Sequence, residues 1–189
     1  MQYPVFNFHH IASNQIDIIL HGGSKGKDSG LIQKLVRKSE SQGISTLAFD
    51  FPYITAGEKP SEGLVDEIAS LESILELVNN LGYKKIRFIG KSLGGIVASK
   101  FLNNLDQKDQ EKYSIIVFGY AMPYINFDNF YGNIVVVHGD NDSHGSVDNV
   151  EKSLASSPSQ EKQVIAIADA DHSFNKEDLK ENEAIDAGY

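Results

Sequence analysis

Short apolar runs alternate with longer segments of helical period along almost the whole chain, and this alternation restricts the fold more than any other feature. The runs carry no polar face, as is typical of strands that helices cover on both sides of a parallel sheet. The strand candidates are Ile16–Leu20, Thr46–Phe49, Ile86–Ile89, Ile115–Phe118, Ile134–Val137 and Val164–Ile167, with Val5–His10 as a further edge strand.

Helices are predicted between these strands. In the clearest of them, Glu62–Leu81, apolar residues recur at spacings of three and four, and Gly82 then supplies a stop. The other candidates are Ser29–Ser41, Leu93–Leu105, Val147–Ser156 and a polar helix from Glu177 onward. Repeated strand–helix pairs favour right-handed crossovers, so we expect an α/β fold: a three-layer α/β/α sandwich around a mostly parallel sheet of six or seven strands.

Length and composition restrict the remaining possibilities. A chain of 189 residues is expected to form one domain, residues 1–189, and the segment between Phe118 and Ile134 is too short for a cap domain. The net charge of -9, without a basic cluster, argues against a nucleic-acid partner. The sequence contains no cysteine, which excludes disulfides, thiolate metal ligands and a cysteine nucleophile.

Targeting signals are also missing from the sequence. The segment Met1–Pro4 lacks the start of a secretory leader, and no apolar stretch approaches the roughly 18 residues that span a bilayer. We therefore expect a cytoplasmic protein without a membrane partner. The oligomeric state is left open.

The strongest local signal is the segment Gly90–Gly95, with the sequence Gly-Lys-Ser-Leu-Gly-Gly, between a predicted strand and a predicted helix. This is the G-x-S-x-G pattern of a nucleophile turn, which needs glycine beside the serine because the turn is so tight. It would present the hydroxyl of Ser92 at a helix N-terminus. The alternative is a tight turn with an incidental serine. A phosphate-binding P-loop is a poorer match, because the glycine that should stand five positions before Gly90 is missing.

A serine nucleophile needs a histidine base that is oriented by a carboxylate. His172 follows the last predicted strand, and Asp142 follows the strand before it. The order Ser92, Asp142, His172 is that of α/β hydrolases. Asp142 is preferred to Asp140 because it lies further into its loop, and His144 is a possible second base.

The loop after the first core strand, His21–Gly26, is rich in glycine and predicts half of an oxyanion hole. The donors would be the amide of Gly23 or Ser24 together with that of Leu93. After a later strand, Tyr120 and Met122 are candidates for an apolar wall that binds an acyl group, although aromatic loops equally often pack inward.

Two other kinds of site are weighed against this interpretation. Asp50 lies where the acidic residue of a dinucleotide-binding unit would lie, but the glycine spacing of such a unit is missing. Four metal-binding side chains also fall at every second position, although the glycines around them favour a bent loop. These four residues are His138, Asp140, Asp142 and His144.

Together these motifs resemble the α/β-hydrolase superfamily across nearly the whole chain. Within it, Phe49–Tyr53, Gly57–Pro60 and Gly90–Ser92 are similar to a compact group related to dienelactone hydrolases and to the hydrolase-like domain of a chromatin-complex subunit. The resemblance implies Ser92 as nucleophile, His172 as general base and then acid, and Asp142 as the orienting group.

We therefore expect a cofactor-independent serine hydrolase that cleaves a small carboxylic ester or thioester through an acyl-enzyme on Ser92. The alternative, suggested by the chromatin-subunit relatives, is a non-catalytic interaction module that keeps the fold.

Overall fold

A seven-stranded sheet forms the centre of the molecule. The computed structural model describes residues 4–174 and 178–189, and the strand order in the sheet is β1-β3-β2-β4-β5-β6-β7. All neighbouring strands are parallel except β1 and β3, which are antiparallel. The strands are β1 Phe6–His9, β2 Gln15–Leu20, β3 Ser45–Phe49, β4 Lys85–Lys91, β5 Tyr113–Phe118, β6 Asn133–Gly139 and β7 Lys162–Ile167.

Helices cover both faces of this sheet, which confirms the predicted three-layer architecture. One apolar cluster joins α1 and α6 to one face, and a second joins α2, α3, α4 and α5 to the other. The helices are α1 Gly30–Ser41, α2 Pro52–Ala56, α3 Val65–Asn80, α4 Leu93–Asn103, α5 Val147–Ala155 and α6 Asp178–Gly188. Every core strand begins before its predicted apolar run, because polar residues such as Lys85 still pair with the neighbouring strand.

The start of α3 corrects our prediction of a helix from Glu62. Gly63 and Leu64 have φ angles of 69° and 65°, so the left-handed backbone separates a single 3₁₀ turn from the helix proper. The hydroxyl of Ser61 accepts the amide of Asp66 at 3.0 Å and donates to Glu67 at 2.6 Å. These two bonds satisfy polar groups at the helix entrance.

The helix α2 was not predicted. Its five residues begin at Pro52 and end before Gly57, which has a left-handed φ of 70°. Five residues are too few to show the repeat of apolar residues from which a helix is predicted.

The C-terminal helix α6 packs on the sheet beside α1. Glu177, where we predicted the start of a helix, lies outside the described residues, as does the segment Met1–Tyr3. Ala184 and Ile185 are buried, so the helix is less polar than its sequence suggested. Within the two described ranges, no helix is long and apolar enough to cross a membrane. The single-domain assignment for residues 1–189 stays a prediction.

A buried ion pair links two central strands. The carboxylate of Asp17 on β2 is completely buried, and Arg87 on β4 donates to its two oxygens at 2.6 and 3.0 Å. The guanidinium also lies 4.8 Å from the centre of the Tyr189 ring. Each charge offsets the cost of burying the other, so the removal of either partner would leave an unpaired buried charge.

Candidate active site

The nucleophile turn lies where β4 ends and α4 begins. Ser92 has φ 48° and ψ −108°, a conformation that is strained for a residue other than glycine. A Cβ on Gly90 would lie 2.6 Å from the nitrogen of Gly95, and one on Gly94 would lie 2.4 Å from the carbonyl oxygen of Leu20. Glycine is therefore required on both sides of Ser92, and the hydroxyl of Ser92 faces the carboxyl edge of the sheet.

Ser92, His172 and Asp142 form a continuous chain of hydrogen bonds. The Oγ of Ser92 lies 2.8 Å from Nε2 of His172, and Nδ1 of His172 lies 2.7 Å from Oδ2 of Asp142. Because the carboxylate only accepts, Nδ1 carries the ring proton and Nε2 is left to accept from the serine. The three loops that follow β4, β6 and β7 thus bring together the three side chains that the sequence singled out.

The environment keeps the imidazole neutral and the carboxylate charged. Burial lowers the pKa of His172, and the charge of Lys91 lowers it further against the opposing influence of Asp142. Burial alone would raise the pKa of Asp142, but hydrogen bonds from His172 and from the amide of His144 outweigh burial, so this pKa lies below its ordinary value. His172 is therefore favoured as a neutral imidazole that can accept a proton at Nε2, and Asp142 is favoured as an ionised carboxylate.

The other acidic candidate, Asp140, is exposed. His138 is completely buried; its Nδ1 accepts the amide of Tyr120 at 3.2 Å and its Nε2 donates to the carbonyl oxygen of Gly145 at 2.9 Å. Because the chain bends after β6, His138, Asp140, Asp142 and His144 do not project from one side of an extended segment, so their alternating spacing does not build the metal site weighed as an alternative.

The glycine-rich loop after β2 lies beside Ser92. The carbonyl oxygen of Gly22 accepts from Nδ1 of His21 at 2.7 Å and from the hydroxyl of Tyr53 at 3.0 Å. In a trans peptide the N–H of the next residue points away from that carbonyl, so these two donors fix the direction of the Gly23 amide. A Cβ on Gly22 would lie 4.0 Å from Cβ of Ser92.

Asp50 holds this loop in place. Its carboxylate accepts the amide of Lys27 at 2.7 Å, and the ammonium of Lys27 lies 3.8 Å away. A Cβ on Gly26 would collide with the same carboxylate. The carboxylate considered as the acidic residue of a dinucleotide-binding unit therefore holds a loop of this molecule in place.

Lys91 is a residue to which sequence reasoning gave no role. Its side chain is buried, and Nζ donates to the carbonyl oxygen of His172 at 2.6 Å. Burial lowers the pKa of Lys91 to about 8, against the attraction of Asp142 and Asp171. A lysine in such a turn more often extends into solvent, so only the path of the His172 loop could have revealed this contact.

Comparisons with known proteins agree with this architecture. A family model described as an alpha/beta hydrolase domain matches residues 14–187. The chain belongs to the α/β hydrolase domain family. This membership supports a hydrolase, whereas the narrower resemblance to dienelactone hydrolases and the chromatin-complex subunit stays a prediction. No curated protein gives a significant match.

Solved structures of α/β hydrolases share the fold at low sequence identity. An α/β serine hydrolase homologue from Coxiella burnetii is 17% identical, with a TM-score of 0.78 over 99% of this chain and 92% of that one. A serine hydrolase without a lid from Xanthomonas campestris is 17% identical, with a TM-score of 0.76 over 97% and 85%. A monoacylglycerol lipase from Paleococcus ferrophilus is 12% identical, with a TM-score of 0.77 over 98% and 96%.

In this α/β hydrolase a cavity of about 290 Å³ adjoins Ser92. Its walls combine the backbone of the two glycine-rich turns with the first turn of α1 and one residue of α6. The lining residues are Gly22, Gly23, Ser24, Lys25, Ser29, Gly30, Leu31, Ile32, Lys91, Ser92, His172, Ser173 and Glu181. The cavity is small, and its lining is mixed polar and apolar.

The predicted acyl wall needs one correction. Tyr120 is completely buried, and its hydroxyl donates to the carbonyl oxygen of Ile125 at 2.8 Å. Its ring belongs to the core and has no surface for a ligand, so the prediction for this residue is wrong. Met122 is half-buried and packs beside Gly145, where an added Cβ would lie 2.9 Å from its Cγ. A substrate contact by Met122 stays a prediction.

Proposed function

We propose that this protein hydrolyses small carboxylic esters or thioesters through an acyl-enzyme on Ser92. The observation that carries the proposal is the continuous chain of hydrogen bonds from Ser92 through His172 to Asp142, with bond lengths of 2.8 and 2.7 Å. Such a chain lets a weak hydroxyl nucleophile give up its proton as it attacks.

In the first half-reaction, Oγ of Ser92 forms a bond to the carbonyl carbon while its proton passes to Nε2 of His172. The carbonyl oxygen becomes an oxyanion, which accepts hydrogen bonds from the amides of Gly23 and Leu93. Collapse of this intermediate breaks the bond to the alcohol or thiol. The leaving group takes the proton from His172, and the acyl group remains on Ser92.

In the second half-reaction, water attacks the acyl carbon while His172 takes one of its protons. Collapse of the second tetrahedral intermediate breaks the bond to Oγ, and His172 returns the proton to Ser92. Throughout the cycle Asp142 keeps the imidazole in one orientation and stabilises its protonated form.

The cavity beside Ser92 favours short acyl groups. A volume of about 290 Å³ lies at the lower limit of small-molecule sites. Among the described residues, Leu31 and Ile32 are its only large apolar lining residues. We expect acetyl and butyryl esters to be better substrates than octanoyl esters. This proposal requires neither a cofactor nor a nucleic-acid or membrane partner.

Labelling with a fluorophosphonate probe tests the nucleophile. We expect the wild type to be labelled, Ser92→Ala to remain unlabelled, and His172→Ala to react much more slowly. Ser41→Ala, a change at an exposed serine at the end of α1, is the matched control and should label like the wild type. Labelling that survives Ser92→Ala would refute the assignment.

A panel of p-nitrophenyl acetate, butyrate and octanoate, with matching acyl thioesters, tests the substrate class. The proposal expects turnover that declines with chain length and is lost in Ser92→Ala. If the folded wild-type protein neither reacts with the probe nor turns over any member of the panel, the non-catalytic interaction module becomes the better interpretation.

A further inference from the structure

Three side chains with metal-binding atoms converge beside Ser92. Asp142, His144 and His172 each place one ligand atom within 4.8 Å of the other two. The rings of His144 and His172 lie face to face, with their centres 4.0 Å apart and an angle of 32° between their planes. The loop after β6 and the loop after β7 thus supply one carboxylate and two imidazoles to the same place.

The spacing of these atoms suits one transition-metal ion. In a tetrahedral site with bonds of about 2.0–2.1 Å, neighbouring ligand atoms lie roughly 3.3 Å apart. Nδ1 of His144 lies 3.4 Å from Oδ1 of Asp142, and Nδ1 of His172 lies 2.7 Å from Oδ2 of the same residue. These two distances end on different oxygens of the carboxylate, and one ligand atom from each residue lies within 4.8 Å of the other two. Side-chain rotations would therefore have to bring these three atoms to bonding distance of one ion.

The donor set and its accessibility point to zinc rather than to a hard cation. Two imidazole nitrogens and one carboxylate oxygen form a set that Zn²⁺ prefers, whereas Mg²⁺ requires mainly oxygen ligands. The side chain of His144 is 47% exposed, which gives an ion a path from solvent. The carboxylate of Asp142 is buried and is already oriented by the amide of His144 at 2.8 Å.

We infer that Asp142, His144 and His172 form a reversible Zn²⁺ site whose occupation switches the hydrolase off. The metal takes the lone pair of Nδ1 on His172, so the ring proton moves from Nδ1 to Nε2 and no proton is lost. Nε2 then faces the hydroxyl of Ser92 with a hydrogen instead of a lone pair and cannot act as a base. The inhibitory half of this inference rests on the proposed function, whereas the metal-binding half is independent of it.

Calorimetric titration with ZnCl₂ tests metal binding without any need for activity. Ser92→Ala serves as the parent, because Ser92 supplies no ligand and the variant has no turnover to interfere. We expect one Zn²⁺ per chain and at least a tenfold weaker affinity when His144→Ala is added. His9→Ala is the matched control: this exposed histidine is paired with Glu40 at the far edge of the sheet, and its removal should leave the affinity unchanged.

Equal Zn²⁺ affinity with and without His144 would overturn the site, and so would the absence of binding to the parent. MgCl₂ should give no heat of binding, and a magnesium affinity equal to that for zinc would contradict the donor-set argument.

Inhibition is then measured on active wild-type protein. Zn²⁺ should stop ester turnover, and EDTA should restore it. With the activity of each protein expressed relative to its own metal-free rate, the inhibition constant for Zn²⁺ should be at least tenfold higher in His144→Ala than in the wild type. Binding without inhibition would overturn the switch while leaving the metal site intact. If the wild type turns over no ester at all, the proposed function fails, but the calorimetry still decides whether the metal binds.

Discussion

The hydroxyl of Tyr53 offers a direct test of how the proposed oxyanion hole is built. Tyr53→Phe deletes one of the two donors to the carbonyl oxygen of Gly22 and leaves the other, Nδ1 of His21, in place. The aromatic ring remains, so the packing around this buried residue is preserved. Burial raises the pKa of Tyr53, which keeps its hydroxyl protonated and able to donate at every pH suitable for the assay.

The expected fall in kcat follows from the energy of the hydrogen bond between Tyr53 and Gly22. A neutral hydrogen bond contributes about 1 kcal/mol, and this corresponds to about a fivefold change in rate if the bond acts only in the transition state. Complete loss of an oxyanion donor costs about 3 kcal/mol, or more than a hundredfold. Because His21 still restrains the peptide before Gly23, we expect kcat to fall by about fivefold to tenfold while KM changes little.

The assay is steady-state hydrolysis of a short-chain p-nitrophenyl ester together with urea unfolding of each variant. Tyr83→Phe is the matched control, since Tyr83 is also buried and its hydroxyl lies 2.7 Å from Nδ1 of His10, far from Ser92. Both variants should lose about 1 kcal/mol of stability, but only Tyr53→Phe should lose kcat. An unchanged kcat in Tyr53→Phe, or an equal loss in both variants, would refute the reasoning.

Two further predictions concern buried charges. Lys91→Met removes a cation that lowers the pKa of His172, so this pKa should rise. Since the neutral imidazole is the proposed base, the acid limb of the kcat/KM profile should move to higher pH. Lys100→Met, at an exposed site, should leave the acid limb in place. An acid limb that does not move in Lys91→Met would contradict the assignment. Arg87→Met should lower the free energy of unfolding by about 3–5 kcal/mol in urea, because the buried charge of Asp17 loses its ionic partner. Adding Asp17→Leu should recover most of that loss. A cost below about 1 kcal/mol would show that the pair is not buried in solution.

The outcome at the loop after β6 shows where sequence reasoning ends. Asp140 and Asp142 are two positions apart in the same loop, and no local feature of the chain separates them strongly. Asp140 is exposed and Asp142 is buried because the chain bends after Gly139. At this bend an added Cβ on Gly139 would lie 2.2 Å from the carbonyl oxygen of Ala170 in the next loop. The approach of two loops, rather than the residues within either one, determines which carboxylate reaches His172.

The sequence by itself determined the layered fold and the position of the nucleophile turn, because both depend on neighbours along the chain. Strand and helix periods extend over a few residues, and the steric demand of the turn is met by Gly90 and Gly94 within the motif. Only the tertiary structure decided that Tyr120 is core, that Lys91 supports the His172 loop and that Tyr53 holds the carbonyl of Gly22. The physical reason is that these are contacts between residues distant in sequence, and their formation depends on the paths of whole loops over the edge of the sheet.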